Sequence, residues 1–298
     1  MAPTTRAWLQ IHFCVVLWGF TAILGKAISL PAFPLVTWRM IFVAVALVFA
    51  PQFWKGLGKL PARMILANSG IGVLVAAHWV TFYAAIKMSN ASVAASCMAL
   101  APVFMAFVEP LFVGSRFEVR DVFFGLAVIP GVVFVVGGTQ AGMRMGIVVG
   151  IVSAFLLCIF GALNKRFIPY GQPLTVTGLE MAAGAVCLIV GTAVWGNTGS
   201  VLVLPAKRDL VLLLTLAIAC TLVPFALSLV AQRHLSAFSA SLAVNMEPVY
   251  AIFLAIPFFH EQQQLQGRFY LGVAIIFLVV FSHPFIGRGK PSANPILP

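Results

Sequence analysis

Apolar runs of about 20 residues recur along the whole chain, the length a helix needs to cross the hydrocarbon core of a bilayer. Short breaks rich in proline, glycine and charge separate them, and these are the residues that end helices and turn chains. The pattern predicts ten helices, over 8–30, 35–53, 64–87, 91–113, 119–138, 143–164, 173–195, 209–232, 236–259 and 267–286. The longest interruptions, near 196–207 and 55–63, are too short to fold into a soluble domain. An even number of spans puts both ends of the chain on one side. The expected fold class is an all-α integral membrane protein.

Composition points the same way. Of 298 residues, 62% are hydrophobic and 8% are charged, where soluble domains run at about 45–50% and 25%. The net charge of +11 is not a nucleic-acid signature, because the cations are scattered through short loops. They read as topology signals. With the N-terminus inside, eleven basic residues fall in inner loops and five in outer ones, which predicts an N-in, C-in orientation. The five cysteines lie inside apolar runs with no paired spacing, so neither disulfides nor metal ligands are expected. The first apolar run is about twice as long as the core of a signal peptide and is expected to be retained.

Setting Pro102 over Pro248 brings the two halves into register. "AAIKMSNASVAASCMALAPVFMAFVEPLF" (84–112) then lies over "LVAQRHLSAFSASLAVNMEPVYAIFLAIPFF" (229–259), with Lys87 on Arg233 and Ala94 on Ala240. "WGFTAILGKAISLPAFP" (18–34) is echoed more loosely by "FGALNKRFIPYGQP" (160–173). The expected division is a first five-helix repeat over 1–138, a second over 143–286 and a short tail over 287–298. Five is odd, so the second repeat is inverted relative to the first. Inverted repeats are the architecture of alternating-access transporters, with the binding site near the bilayer midplane where the halves meet.

The "WG" at 18–19, Lys26, Pro34 and Arg39 resemble the EamA-type repeat of the drug/metabolite transporter superfamily. So do the "ASVA" helix leading to Pro102 and its counterpart leading to Glu247 and Pro248. The resemblance covers nearly the whole chain. It implies a secondary transporter of the bacterial inner membrane, exporting small metabolites such as amino acids, with proton coupling in some relatives. It also implies a basket of helices around a central cavity, the last helix of each half lying at the periphery.

Polar residues inside the spans are the candidate chemistry, because an ionisable group in hydrocarbon costs about 2.5–3.5 kcal/mol on insertion scales and is usually functional. Glu247 lies near the middle of span nine, where Pro248 frees a backbone carbonyl in the preceding turn. It either lines the cavity, taking a proton or a substrate amine, or pairs structurally with a neighbouring helix. Lys26 and Arg39 flank the first outer turn, fit to capture an anionic group; the competing reading is snorkelling or pairing for Lys26. Glu180, a third of the way into span seven, is a proton or substrate group, or a partner of Lys165 or Arg166. Glu109 reads as a helix-end group with Arg116 nearby. His78 is a proton shuttle or a satisfied core histidine. Trp18, Trp79, Phe82 and Tyr83 make an aromatic wall suited to an apolar side chain, in a chain where 26 phenylalanines make such clusters common. Asn245 and Glu247 are two residues apart and so point about 200° apart on a helix. Ser92, Ala95, Ser96 and Ala99, like Ser236, Ser239, Ala240 and Ala243, are small residues that let helices approach closely. Pro102 and Pro248 are candidate hinges.

The function expected is export of a small metabolite, plausibly an amino acid, by alternating access, with a proton as one candidate coupling ion. No cofactor is expected: nothing resembles a nucleotide-binding loop, so gradients must drive the cycle. The partners are a small molecule, a proton and the bilayer; monomer and dimer are both compatible. An organic-anion or nucleotide-sugar exchanger calls for more cavity cations than Lys26 and Arg39. An enzyme acting on a lipid-linked substrate calls for catalytic groups gathered at one interface, and no His/Asp or Cys/His set gathers in any loop.

Overall fold

The computed structural model describes residues 3–114, 117, 119–194, 202–232, 234–235, 243–244 and 246–286. Arg116, Arg233, Ser236, Ser239, Ala240, Asn245 and the tail at 287–298 lie outside them. The described residues are mostly helical and include no strand. The helices are α1 (Pro3–Ala27), α2 (Ala32–Val48), α3 (Pro51–Leu57), α4 (Ala62–Met88), α5 (Ala91–Met98), α6 (Ala101–Val113) and α7 (Val119–Gly137) in the first half. The second half has α8 (Arg144–Phe167), α9 (Pro173–Val194), α10 (Lys207–Ala217), α11 (Val223–Gln232), α12 (Glu247–Phe259) and α13 (Gly267–Ile286).

Six stretches are long and apolar enough to cross a membrane: Thr4–Ala27, Ala62–Met88, Ala91–Val113, Ala141–Phe167, Pro173–Val194 and Lys207–Ala231. The pair α2 and α3, bent by 87° at Pro51, makes a seventh, and Phe123–Gly137, Glu247–Phe259 and Gly267–Val279 are shorter apolar helices. All of them fall on the ten spans that hydropathy predicts.

The prolines explain the breaks. Span four divides into α5 and α6 at Leu100, and Pro102 stands in the first turn of α6, where its missing N–H would have no helical partner anyway. Pro248 holds the same position in α12, which starts after Met246. Aligning the prolines therefore aligns two half-helices.

The second half packs into the first along α4, which lies against both α8 and α9, while α2 also lies against α9 and α1 against α11 and α12. The last helices of the two halves, α7 and α13, pack chiefly on each other. They meet at small residues: a Cβ on Gly272 would stand 2.5 Å from the Gly131 carbonyl oxygen. In lipid such close approach is a main source of helix–helix affinity, because both surfaces are equally apolar before and after association.

Candidate functional site

Arg39 of α2 is 2% exposed. A guanidinium in that position must have its donors answered, and the neighbouring helices supply the acceptors. Its Nε donates to Thr221 Oγ1 at 2.7 Å, its Nη1 to Tyr83 Oη at 2.7 Å and its Nη2 to the Cys220 carbonyl at 3.5 Å. The charge also stands 3.7 Å from the ring centroid of Trp79, a cation–π contact. Trp79 and Tyr83 are one turn apart on α4 and so share a face.

The acceptors on the partner helix follow from its sequence. Between α10 and α11 the backbone widens into a π turn over Ile218–Leu222, a device common where a helix serves function. Pro224 brings no N–H, so the Cys220 carbonyl one turn earlier lacks its usual helical donor. It faces Arg39 instead. Thr221 Oγ1 donates to Leu216 O at 2.7 Å, which leaves its lone pairs for the arginine.

Glu247 opens α12, and a carboxylate is favoured at a helix N-terminus. It is half-buried. The charge of Arg39 acts on it, as it does on Tyr83, yet no ion-pair contact joins Arg39 and Glu247 among the described residues. Trp18 stands on the neighbouring stretch of α1, half-buried among Ile11, Val15, Met246 and Tyr250. Arg39, Trp79 and Tyr83 thus form one group, and Trp18 stands beside Met246 and Tyr250, which flank Glu247.

The other candidates stand apart. His78 turns onto the α4–α8 seam, where its Nδ1 lies 2.9 Å from both the carbonyl and the hydroxyl of Ser153. Ser153 Oγ donates to the His78 carbonyl at 2.9 Å, so the pair satisfies itself. Glu180 is wholly buried in α9 and neither carboxyl oxygen makes a hydrogen bond. Lys165 and Arg166 do not reach it: Lys165 pairs with Glu109, and Arg166 donates to the Phe112 carbonyl. Lys26 lies at the far end of α1, 2.6 Å from Glu261 Oε1.

That contact belongs to a network the sequence reading did not find. Glu261 is fully buried and also accepts the first amides of α5, from Ala91 N at 2.9 Å and Ser92 N at 2.8 Å. Asn90 caps the same helix through Val93 N. Asp209, 3% exposed, accepts from the Ser29 amide at 3.1 Å and from its hydroxyl, and Lys87 donates to the Ile28 carbonyl. The face at which α1 ends is therefore sealed by two carboxylates that hold helix ends of both halves. The available cue was slight: "SNAS" before span four is an N-cap signature, with four bare amides to satisfy.

The EamA-like transporter family matches this chain twice, over residues 6–137 and 144–282. A protein described as uncharacterized transporter YxxF, from Bacillus subtilis (strain 168), is 25% identical over 287 residues, covering 92% of this chain and 88% of that protein. One solved crystal structure superposes over 96% of this chain and 99% of its own, with a TM-score of 0.66 at 16% identity, a likeness of fold. Two family matches over nearly the full length, on a ten-segment helical fold, make this chain a member of the EamA-like transporter family.

Proposed function

We propose that the protein is a secondary transporter of the bacterial inner membrane that exports a small zwitterionic metabolite, an amino acid being the simplest, by alternating access driven by proton influx. The observation that carries this reading is the pairing at a distance of Arg39 and Glu247. Both are ionisable groups within spanning segments, and among the described residues no ion pair joins them. A zwitterion between them gives its carboxylate to the arginine and its amine to the glutamate. A guanidinium has five N–H donors; three are engaged by Thr221, Tyr83 and Cys220, and two remain for a substrate carboxylate. Trp18, Trp79 and Tyr83 offer an aromatic wall for the substrate's side chain.

The direction of opening follows from the sealed face. With both termini in the cytoplasm, the Glu261 and Asp209 network lies outside, so this conformation is closed to the exterior. The cycle then alternates between this network and an inner closure, with Pro102 and Pro248 as the places where the half-helices tilt.

Counterflow in proteoliposomes tests the reading. A panel of labelled amino acids and organic anions is offered to wild type and Glu247→Gln at two pH values. Saturable counterflow of an amino acid, lost or pH-insensitive in Glu247→Gln, is the expected result. Counterflow of anions alone, or unchanged amino-acid counterflow in the variant, overturns the assignment of Glu247.

A further inference from the structure

Glu180 is 0% exposed, and both its carboxyl oxygens lack a hydrogen-bond partner. It is not alone in this. Thr177 Oγ1, one turn back on α9, and Asn68 Oδ1 on α4 are also buried without a partner. The Asn164 side chain lies against the Glu180 carboxyl without forming a hydrogen bond of ordinary geometry. Asn68 and Asn164 line a cavity of about 10 Å³ together with Val176, one turn before Glu180. That is room for about one water. The cavity also borders Phe167, Gly171 and Pro173, the turn joining α8 to α9 on the face where α1 begins.

Among the described residues no charge offsets this carboxyl. α9 packs on α2, α3, α4 and α11. Their described titratable side chains are Arg39, Lys55, Arg63, His78, Tyr83 and Lys87, and none of them acts on Glu180. A bare carboxylate in such a place is far costlier than a neutral acid. Nor can a basic side chain be supplied from α4 opposite it, because Gly72 brings backbone there: a Cβ at 72 would stand 2.2 Å from Glu180 O.

We propose that Glu180 is a proton-binding site separate from the Arg39 and Glu247 group, loaded and unloaded through the small cavity that Asn68 and Asn164 help to line. The proton adds to a carboxylate oxygen and leaves as hydronium through that cavity; no other bond changes. Its use in coupling rests on the transporter reading, but the site itself does not.

Infrared difference spectroscopy on the purified protein in liposomes, with pH as the only variable, tests the site without any substrate. Wild type and Glu247→Gln are expected to show a protonated-carboxyl stretch at neutral pH that disappears at alkaline pH. In the Glu247→Gln background, Glu180→Gln should abolish it, and Glu180→Asp, the variant that keeps an acid, should show it at a displaced frequency. A band unchanged in the Glu180→Gln and Glu247→Gln double variant overturns the proposal. So does a band abolished in wild type by sodium at constant pH, which makes the site a cation site. Failure of counterflow with an intact band would sink the transport reading alone.

Discussion

Gly114 and His260 end the corresponding half-helices α6 and α12 in the same left-handed turn, at φ 80° and φ 51°. They align when Pro102 is set over Pro248, so the two halves share a helix stop as well as a helix start. Glycine pays no steric penalty at positive φ, whereas a residue with a Cβ does. His260 is exposed, and among the described residues no contact of its imidazole offsets the strain. His260→Gly is therefore expected to leave transport unchanged and to stabilise the protein by up to about 1 kcal/mol. A thermal melt in detergent with a lower midpoint than wild type would show that the histidine is held by something other than the turn.

Arg39→Lys separates charge from geometry. A lysine keeps the cation but has neither the planar fork that reaches Thr221 and Tyr83 together nor the flat face that stacks on Trp79. Each lost charge-assisted hydrogen bond is worth about 1.5–3 kcal/mol. Substrate affinity should fall at least about tenfold, the equivalent of 1.4 kcal/mol, with expression and melting temperature lowered less than in Arg39→Ala. Binding measured by scintillation proximity decides this; an unaltered affinity would mean that Arg39 serves only to join α2 to the π turn.

Glu261→Gln probes the sealed face. The carboxylate holds Lys26 and accepts two amides at the start of α5. Removing one member of a buried pair costs about 3–5 kcal/mol, and the half-exposed end of Lys26 lowers that figure here. Hydrogen exchange at the Ala91 and Ser92 amides should speed by about tenfold or more, while exchange in the α7 and α13 pair stays as in wild type. Equal acceleration throughout would mean global loss of stability and no local closure.

How much of this was legible in the sequence divides along a physical line. The spans were, because twenty apolar residues between breakers admit few other structures. The shared register of Pro102 and Pro248 was, because proline marks a helix start in either half. Arg39, Glu180 and Glu247 announced themselves as charges in oil. Their partners did not. The acceptors of Arg39 depend on a π turn and on the carbonyl freed by Pro224, which no spacing rule marks. Lys165 looked available to Glu180 across a short loop, but the last turn of α8 directs it to Glu109 on α6. Glu261 falls between the predicted spans over 236–259 and 267–286, and Asp209 on the first residue of the span over 209–232, where nothing in the sequence sets them apart. Only when distant helix ends are brought together do their bare amides, and Lys26, make burial of those carboxylates favourable.

The tight seam between α4 and α9 yields a paired test. A Cβ on Gly72 would stand 2.2 Å from Glu180 O, 2.7 Å from its Cα and 2.8 Å from its carbonyl carbon. All three are backbone, so no side chain can swing away, and α4 and α9 must part. Gly184 is caught in the same seam: a Cβ there would stand 2.7 Å from the Gly72 carbonyl oxygen. Overpacking of this kind costs about 1–3 kcal/mol, occasionally more. Gly70, two residues earlier on α4, has nothing within 4 Å of its would-be Cβ. There alanine only removes the backbone freedom of a helical glycine, a gain of up to about 1 kcal/mol. Gly72→Ala should therefore melt several degrees below wild type and Gly70→Ala at or above it, in the same detergent. If the two variants melt alike, α4 and α9 are not in backbone contact at Glu180, and the isolation of that carboxyl loses its structural cause.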